Sequence, residues 1–194
     1  MLTDLSRFLV DSEVLRFGDF TLKSGRKSKY FMNFGSVYTG PHLQRLGAFF
    51  ADFLEKELKG QYDGILGPAY KGIPMATATC MQLYERHGVE VGYLSFRKEA
   101  KSHGEGGNVL GMDPAGKRLV LIDDVMTSGA TKVEALEMLK KEAPTAKIVA
   151  VVIAVDREEP DDKGRPALQG FQDDTGVPVL ALSRVSDIFA TLKV

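Results

Sequence analysis

Short apolar runs alternate along the chain with longer stretches in which apolar residues recur at helical spacing. The runs have the length of strands and lie at residues 63–67, 91–96, 119–122, 148–155 and 177–182. Helical spacing predicts helices at residues 41–60, 75–83, 133–139 and 186–192, the last with Ser186 as its N-cap. Because strands that alternate with helices form a parallel sheet covered on both faces, the pattern predicts an α/β fold.

The first forty residues follow a different pattern. Residues 4–16 have the apolar spacing of an amphipathic helix, and residues 17–22 and 30–34 have the pattern of two short strands around a basic turn. A hairpin at this place predicts a small amino-terminal hood of about residues 1–40 beside a core of about residues 41–194. The length of 194 residues suits one domain.

Composition limits the classes of partner. The chain is 44% hydrophobic and 26% charged with a net charge of −1, which does not predict binding to nucleic acid or to an anionic membrane. The longest apolar run, residues 148–155, is too short to span a bilayer, and the first residues do not have the pattern of a secretory signal. Cys80 is the single cysteine, which excludes an internal disulfide and favours a cytoplasmic location; core packing explains it more simply than a catalytic thiol does.

The most informative segment is RLVLIDDVMTSGAT at residues 118–131. A short strand at 119–122 leads to Asp123 and Asp124, a loop of small and hydroxylated residues follows, and a helix comes next. The start of a helix favours an anion such as phosphate. Carboxylates directly before a phosphate site suit the hydroxyls of a ribose 5-phosphate. The alternative is an ordinary strand, loop and helix with a solvated acidic pair.

That helix has its apolar positions at Val133, Ala135, Leu136 and Leu139. They predict the face that packs against the sheet.

Two further loops follow strands of the predicted sheet. GPAYKGIP at residues 67–74 contains Lys71, and we expect it to face the same crevice as the acidic pair, since ligands bind beyond the carboxyl ends of parallel strands. RKEAKSHGEGGN at residues 97–108 is basic and then glycine-rich, which predicts a mobile lid. Taken alone, the first could be a lysine beside a helix start and the second a solvated hairpin loop.

These strings resemble the type I phosphoribosyltransferases. The segment 118–131 resembles their ribose 5-phosphate site, and GPAYKGIP resembles their pyrophosphate loop. The hood string FTLKSGRKSKYFMN and the lid string RKEAKSHGEGG resemble one branch of the family, the orotate phosphoribosyltransferases. The resemblance covers most of the chain, with four motifs in the family's order.

The resemblance implies roles for particular residues. The implied catalytic residues are Lys101, His103, Asp123 and Asp124. The implied orotate-binding residues are Phe31, Met32, Thr127 and Arg157, although Arg157 taken alone would be a surface ion pair. The implied residues for 5-phosphoribosyl 1-diphosphate are Lys23, Tyr70, Lys71, Arg97, Lys98, Lys101, His103, Asp123, Asp124, Val125, Met126, Thr127, Ser128, Gly129, Ala130 and Thr131.

The implied reaction joins orotate to the diphosphate sugar and gives orotidine 5-monophosphate, a step toward UMP. It implies Mg²⁺ held mainly by substrate and water, without direct protein ligands. It also implies a homodimer in which each lid reaches the neighbouring site. The alternatives are a phosphoribosyltransferase for another base, which we would not expect to carry both the hood and lid strings, and a regulator that binds the same diphosphate.

Overall fold

The structure is a computed structural model that describes residues 2–21, 27–97 and 108–194. Its helices are α1 Leu2–Asp11, α2 Gly40–Glu57, α3 Gly72–His87, α4 Ala130–Glu142, α5 Ala167–Thr175 and α6 Val185–Leu192. Its strands are β1 Leu15–Thr21, β2 Lys27–Met32, β3 Gly64–Leu66, β4 Gly92–Phe96, β5 Val109–Gly111, β6 Arg118–Val125, β7 Lys147–Asp156 and β8 Val179–Arg184. Within these ranges, none of the helices has the length and apolar content needed to cross a membrane.

The main sheet has six strands in the order β5-β4-β3-β6-β7-β8. All neighbouring pairs run parallel except β4 and β5, which are antiparallel. The strand order reverses direction between β3 and β6, which are adjacent in the sheet although β4 and β5 separate them in the chain. This architecture confirms the predicted α/β fold, and it puts the crevice for a ligand beyond the ends of β3 and β6.

Both faces of the sheet are covered by helices. On β6, Val120 and Ile122 pack into the core that contains residues of α1, α2, α3 and α6. Leu119 and Leu121 pack into a second core with residues of α4 and α5. The alternation follows from the period of two in a strand, because successive side chains point to opposite faces. From Leu119 to Ile122, even-numbered side chains of β6 therefore face the core with α3, and odd-numbered side chains face the core with α4.

The hood is a separate two-stranded antiparallel sheet of β1 and β2. Phe17 of β1 and Tyr30 of β2 both pack on the ring of Phe189 in α6, with ring centroids 5.8 and 5.1 Å away. α1 packs on the core, where the ring of Phe8 lies 5.6 Å from that of Phe49. The hairpin thus rests on the carboxyl-terminal helix, and this contact fixes the hood against the core.

Two predicted boundaries near the hood are wrong. The helix expected at 4–16 ends at Asp11, and the chain reverses at Glu13, which has a positive φ of 56°, so that the buried Val14 leads into β1. The strand expected at 30–34 ends at Met32, and Phe34 begins a short 3-10 helix. Val14 and Phe34 are apolar because they are buried in the core, and burial alone does not identify the element that holds a residue.

The predicted N-cap of the last helix is also wrong. Ser186 lies inside the first turn of α6, and Arg184 occupies the N-cap position. The backbone N–H of Ser186 donates to Oε2 of Glu158, 2.9 Å away. The carboxylate of Glu158, which lies just after β7, therefore accepts a hydrogen bond from the start of this helix. The side chain of Ser186 was expected to take that role.

Candidate active site

The loops after β3 and β6 meet at the carboxyl edge of the sheet. β3 and β6 pair in register, with Leu66 opposite Leu121. Beyond them, Nζ of Lys71 in the β3–α3 loop donates to Oδ2 of Asp124, 2.7 Å away. The expectation that GPAYKGIP faces the same crevice as the acidic pair is therefore confirmed.

The acidic pair lies inside β6, which extends past residue 122 to Val125. Asp123 and Val125 stand opposite Ile153 and Val155 of β7, so the ladder continues through the carboxylates. By the alternation of the strand, Asp123 is directed to the face of α4 and Asp124 to the face of α3. Both residues are only 7% exposed, which rules out the solvated pair considered above.

Each carboxylate pairs with a lysine from the helix on its own face. Lys132 of α4 forms an ion pair with Asp123, and its Nζ also donates to the carbonyl of Val125 at 2.7 Å. The side chains of Asp123 and Asp124 are each 10% exposed, and the pairs differ in their lysines, which are 5% exposed at Lys132 and 56% exposed at Lys71. One lysine is therefore sealed from water and the other is open to it.

Burial raises the pKa of Asp123 above its usual range. The charge of Lys132 opposes this effect and the nearby Asp124 adds to it, while hydrogen bonds from Lys132 and from the backbone of Asp124 favour the ionised form. The electrostatic state of Asp123 thus depends on a lysine that the sequence analysis did not include.

Lys132 was missed because only apolar residues were used to find the inner face of the helix. The expected face began at Val133, which is 36% exposed. The buried residues of α4 are Lys132, Ala135 and Leu139, a spacing of three and four. Counting back three residues from Ala135 would have placed a lysine on the inner face, directly after the motif.

In the loop after the acidic pair, the backbone lies close to a neighbouring side chain. Met126 is buried, whereas Thr127 and Ser128 are exposed. Gly129 has a φ of 73°, and a Cβ there would lie 2.8 Å from Cδ2 of Phe171, so glycine is required. α4 begins at Ala130 with Gly129 as its N-cap, and because glycine has no side chain to cap the first N–H groups, this helix start suits an anion.

The loop after β3 is closed by two glycines in contact. A Cβ at Gly67 would lie 2.1 Å from the carbonyl oxygen of Gly72, and the Gly72 N–H donates to the carbonyl of Pro68 at 2.9 Å. The turn holds Tyr70 with 70% exposure. It also directs Lys71 toward the crevice.

A cleft of about 520 Å³ adjoins both loops. Arg97 and Thr131, two of the residues implied by the resemblance, line it together with Pro68 and Ala69. Arg97 is the first residue of the predicted lid, and residues 98–107 lie outside the described ranges. Lys23, Lys98, Lys101 and His103 lie outside the described residues.

Of the residues expected near the base, Phe31, Met32 and Arg157 lie at the junction of hood and core, whereas Thr127 lies in the loop after β6. Phe31 is 40% exposed and its ring is 5.6 Å from that of Phe20, while Met32 is buried in the core. Arg157 pairs with Glu159 at 2.6 Å, and its guanidinium carbon lies 5.9 Å from the centre of the Tyr30 ring. Taken alone, Arg157 was expected to form a surface ion pair; the ion pair is present, but the surface position is wrong, since the Arg157 side chain is only 12% exposed.

Burial at this junction changes the pKa of Tyr30. It raises that pKa, and the neighbouring Arg157 opposes the rise through a hydrogen bond and through its charge. Nε of Arg157 is buried and has no hydrogen-bond partner within the described part of the chain. Such a donor suits a polar ligand group.

Fold and site together are those of an α/β protein that binds a phosphorylated sugar at the ends of parallel strands. The sequence model of the phosphoribosyl transferase domain matches residues 34–179. Orotate phosphoribosyltransferases of Bifidobacterium adolescentis and Colwellia psychrerythraea are 42% and 45% identical over 95% and 96% of this chain, and 82% of each relative is covered. A crystal structure of orotate phosphoribosyltransferase from Francisella tularensis superposes with a TM-score of 0.85 at 38% identity, covering 96% of this chain and 88% of the other. The chain belongs to the orotate phosphoribosyltransferase family.

Proposed function

We propose that the protein transfers ribose 5-phosphate from 5-phosphoribosyl 1-diphosphate to orotate, giving orotidine 5-monophosphate and diphosphate in pyrimidine biosynthesis. Family membership supports the reaction. The observation that supports the proposal at the level of residues is the contact of Lys71 with Asp124. It places a cation that can bind the diphosphate next to a carboxylate that can bind the sugar.

The open ion pair suggests how the substrate enters. Because the Lys71 side chain is 56% exposed, a diphosphate can reach its ammonium and replace Asp124, whose own side chain is only 10% exposed. Lys71 then carries part of the leaving group's negative charge. Asp124 becomes available to a ribose hydroxyl, and its carboxylate lies near the carbon that develops positive charge.

The remaining contacts follow from the positions of the loops. The 5-phosphate binds at residues 127–131, where the helix dipole of α4 favours an anion. Arg157 binds the orotate carboxylate, with Phe31, Met32 and Thr127 around the base. Arg97, Lys98, Lys101 and His103 bring further cations to the diphosphate from the lid.

Mg²⁺ is the proposed cofactor. Among the described residues, no group of three or more histidine, cysteine, aspartate or glutamate side chains could hold a metal, and both aspartates of the site already pair with lysines. This donor set fits a cation held by diphosphate oxygens and water. When bound, Mg²⁺ neutralises charge on the leaving group.

The direct test is an absorbance assay with orotate, the diphosphate sugar and Mg²⁺, repeated with uracil, hypoxanthine and adenine. We expect turnover with orotate and at most traces with the other bases. Preference for another base would assign the chain to a different specificity within the class, and sugar binding without turnover would favour a regulator.

The lid makes a separate prediction. Lys101→Ala should lower kcat by about 10²–10³, comparable with the loss of one preorganised donor in an oxyanion site. Lys193→Ala, at the far end of the chain, is the control. Steady-state kinetics measure this change. A kcat of Lys101→Ala within threefold of the wild-type value would show that Lys101 does not contribute to the chemistry.

We also propose a homodimer with shared sites. Tyr70, Met81 and Tyr84 are 65–70% exposed and lie along or just before α3, which leaves an apolar face for a second copy. If each lid serves the partner's site, mixing Lys101→Ala with Asp124→Asn subunits should recover activity, because the mixed dimer has one intact site. A wild-type enzyme that is monomeric and active would contradict this assembly.

The proposed location is the cytoplasm. The single cysteine, Cys80, is a free thiol, and a chain with no second cysteine for an internal disulfide suits a reducing compartment. Cell fractionation with an antibody to the protein tests the location.

A further inference from the structure

Lys132 is a buried charge with no role in the mechanism described so far. Its side chain is 5% exposed, and long cationic side chains are rarely placed inside a protein without a charged partner. Here the partner is a carboxylate of the sugar site.

The ammonium of Lys132 joins two points of β6. It pairs with Oδ2 of Asp123 and donates to the carbonyl of Val125 at 2.7 Å. The backbone N–H of Lys132 donates to the carbonyl of Gly129 at 2.9 Å. The side chain therefore spans the loop at residues 126–131 and ties its helical end to the strand before it.

The same contacts orient Asp123. Oδ1 accepts the backbone N–H of Asp124 at 2.9 Å, and Oδ2 is held by Lys132, so both oxygens have fixed partners. A carboxylate with both oxygens held has a fixed orientation.

We propose that Lys132 is a positioning residue for the transfer reaction: by tying Asp123 and the Val125 carbonyl to the start of α4, it holds the sugar-phosphate loop and its first carboxylate ready for the diphosphate sugar. This inference rests on the proposed function, whose substrate it concerns. Lys132 itself lies behind the carboxylate, on the side of α4.

The test compares Lys132→Met, Lys132→Gln and the control Lys140→Met on the exposed end of the same helix. Calorimetry with the diphosphate sugar and Mg²⁺ measures binding without the base. We expect Lys132→Met to weaken binding and lower kcat/KM by about 10²-fold, the loss expected when a reacting group is misplaced by about 1 Å. Lys132→Gln keeps a donor for the Val125 carbonyl but no charge, so it should lose less.

The pH profile separates positioning from simple stability. The groups that face Asp123 are Lys132 from α4 and Asp124 from its own strand, and Asp124 is itself paired with Lys71 from the start of α3. Without the Lys132 charge, the pKa of Asp123 rises, so the carboxylate is protonated at a higher pH than in wild type. The acidic limb of kcat/KM should therefore move to higher pH in both Lys132 variants and stay in place in Lys140→Met.

The outcomes are distinct. Wild type that binds the sugar diphosphate but does not convert orotate contradicts the proposed function and leaves the binding arm of this test intact. Folded Lys132 variants with wild-type sugar affinity and an unmoved acidic limb overturn the positioning role. Weaker binding in both variants with an unmoved limb shows a purely structural lysine, which also overturns it. If Lys132→Met does not fold, the Gln variant decides.

Discussion

The two lysine–aspartate pairs of the site differ in their access to water. Lys132 and Asp123 are 5% and 10% exposed, on the side of α4, whereas Lys71 is 56% exposed, on the side of α3. The two aspartates are neighbours in the chain, yet their partners come from opposite faces of the sheet. Adjacent and equally buried residues can therefore differ in whether a ligand can reach the lysine that each of them binds.

The difference follows from the energetics of ion pairs. A buried pair does not need to add stability, but removing one partner leaves an uncompensated charge that is costly. An exposed pair is worth little and breaks easily. The buried pair thus suits a fixed scaffold, and the open pair suits a ligand site.

Removing the carboxylates one at a time should have the largest effect. Asp123→Asn leaves the Lys132 ammonium buried without its countercharge, and we expect it to lower the free energy of unfolding by about 3–5 kcal/mol. Asp124→Asn, the matched variant, leaves a lysine that water can solvate, since Lys71 is 56% exposed, and should cost less, about 1–2 kcal/mol. Urea unfolding measures both, and equal losses would mean that burial does not distinguish the pairs.

The loop that Lys132 spans should tolerate little change. Gly129→Ala places a side chain at a φ of 73° and against the ring of Phe171, so we expect a loss of about 2–3 kcal/mol and a higher KM for the diphosphate sugar. Gly116→Ala is the control, because its φ of 69° is similar but a Cβ there meets open space. It should cost about 1 kcal/mol and leave KM unchanged. Identical behaviour of the two variants would remove the evidence for a tightly packed loop.

The smallest expected difference between the two lysine–aspartate pairs is their response to salt. A double-mutant cycle on Lys71→Ala and Asp124→Asn should give a coupling of about 1 kcal/mol or less that disappears in about 1 M NaCl, where the Debye length is about 3 Å. The cycle on Lys132→Met and Asp123→Asn should keep its coupling in the same salt, since a buried pair is screened much less. A buried pair as sensitive to salt as the open one would contradict the structure's account of the site.

The sequence predicted the elements better than their ends. Five strands of the main sheet, five helices and the amino-terminal hairpin were predicted from apolar spacing, whereas the edge strand β5 and the helix α5 were not among them. The errors at Val14, Phe34 and Ser186 have one cause: apolar or capping residue types were assigned to the nearest element, while their actual partners are distant in the chain. The spacing of residue types along the chain does not identify such distant partners.

The candidate site shows the same limit. Its two described loops are recognisable as strings, and the contact of Lys71 with Asp124 follows from the rule that ligand loops gather at the carboxyl ends of strands. Arg157 was expected as an ion pair, but its burial under the hood depends on where Tyr30 packs. Lys132 was not predicted at all.

The sequence by itself determined the order of strands and helices, the loops of the site and the family, because these depend on residue type and spacing along the chain. Only the tertiary structure decided which aspartate pairs with a buried lysine and which pairs with an exposed one. The physical reason is that a strand turns successive side chains to opposite faces, and the helix packed on each face determines whether a carboxylate meets a buried lysine or one that water and substrate can reach.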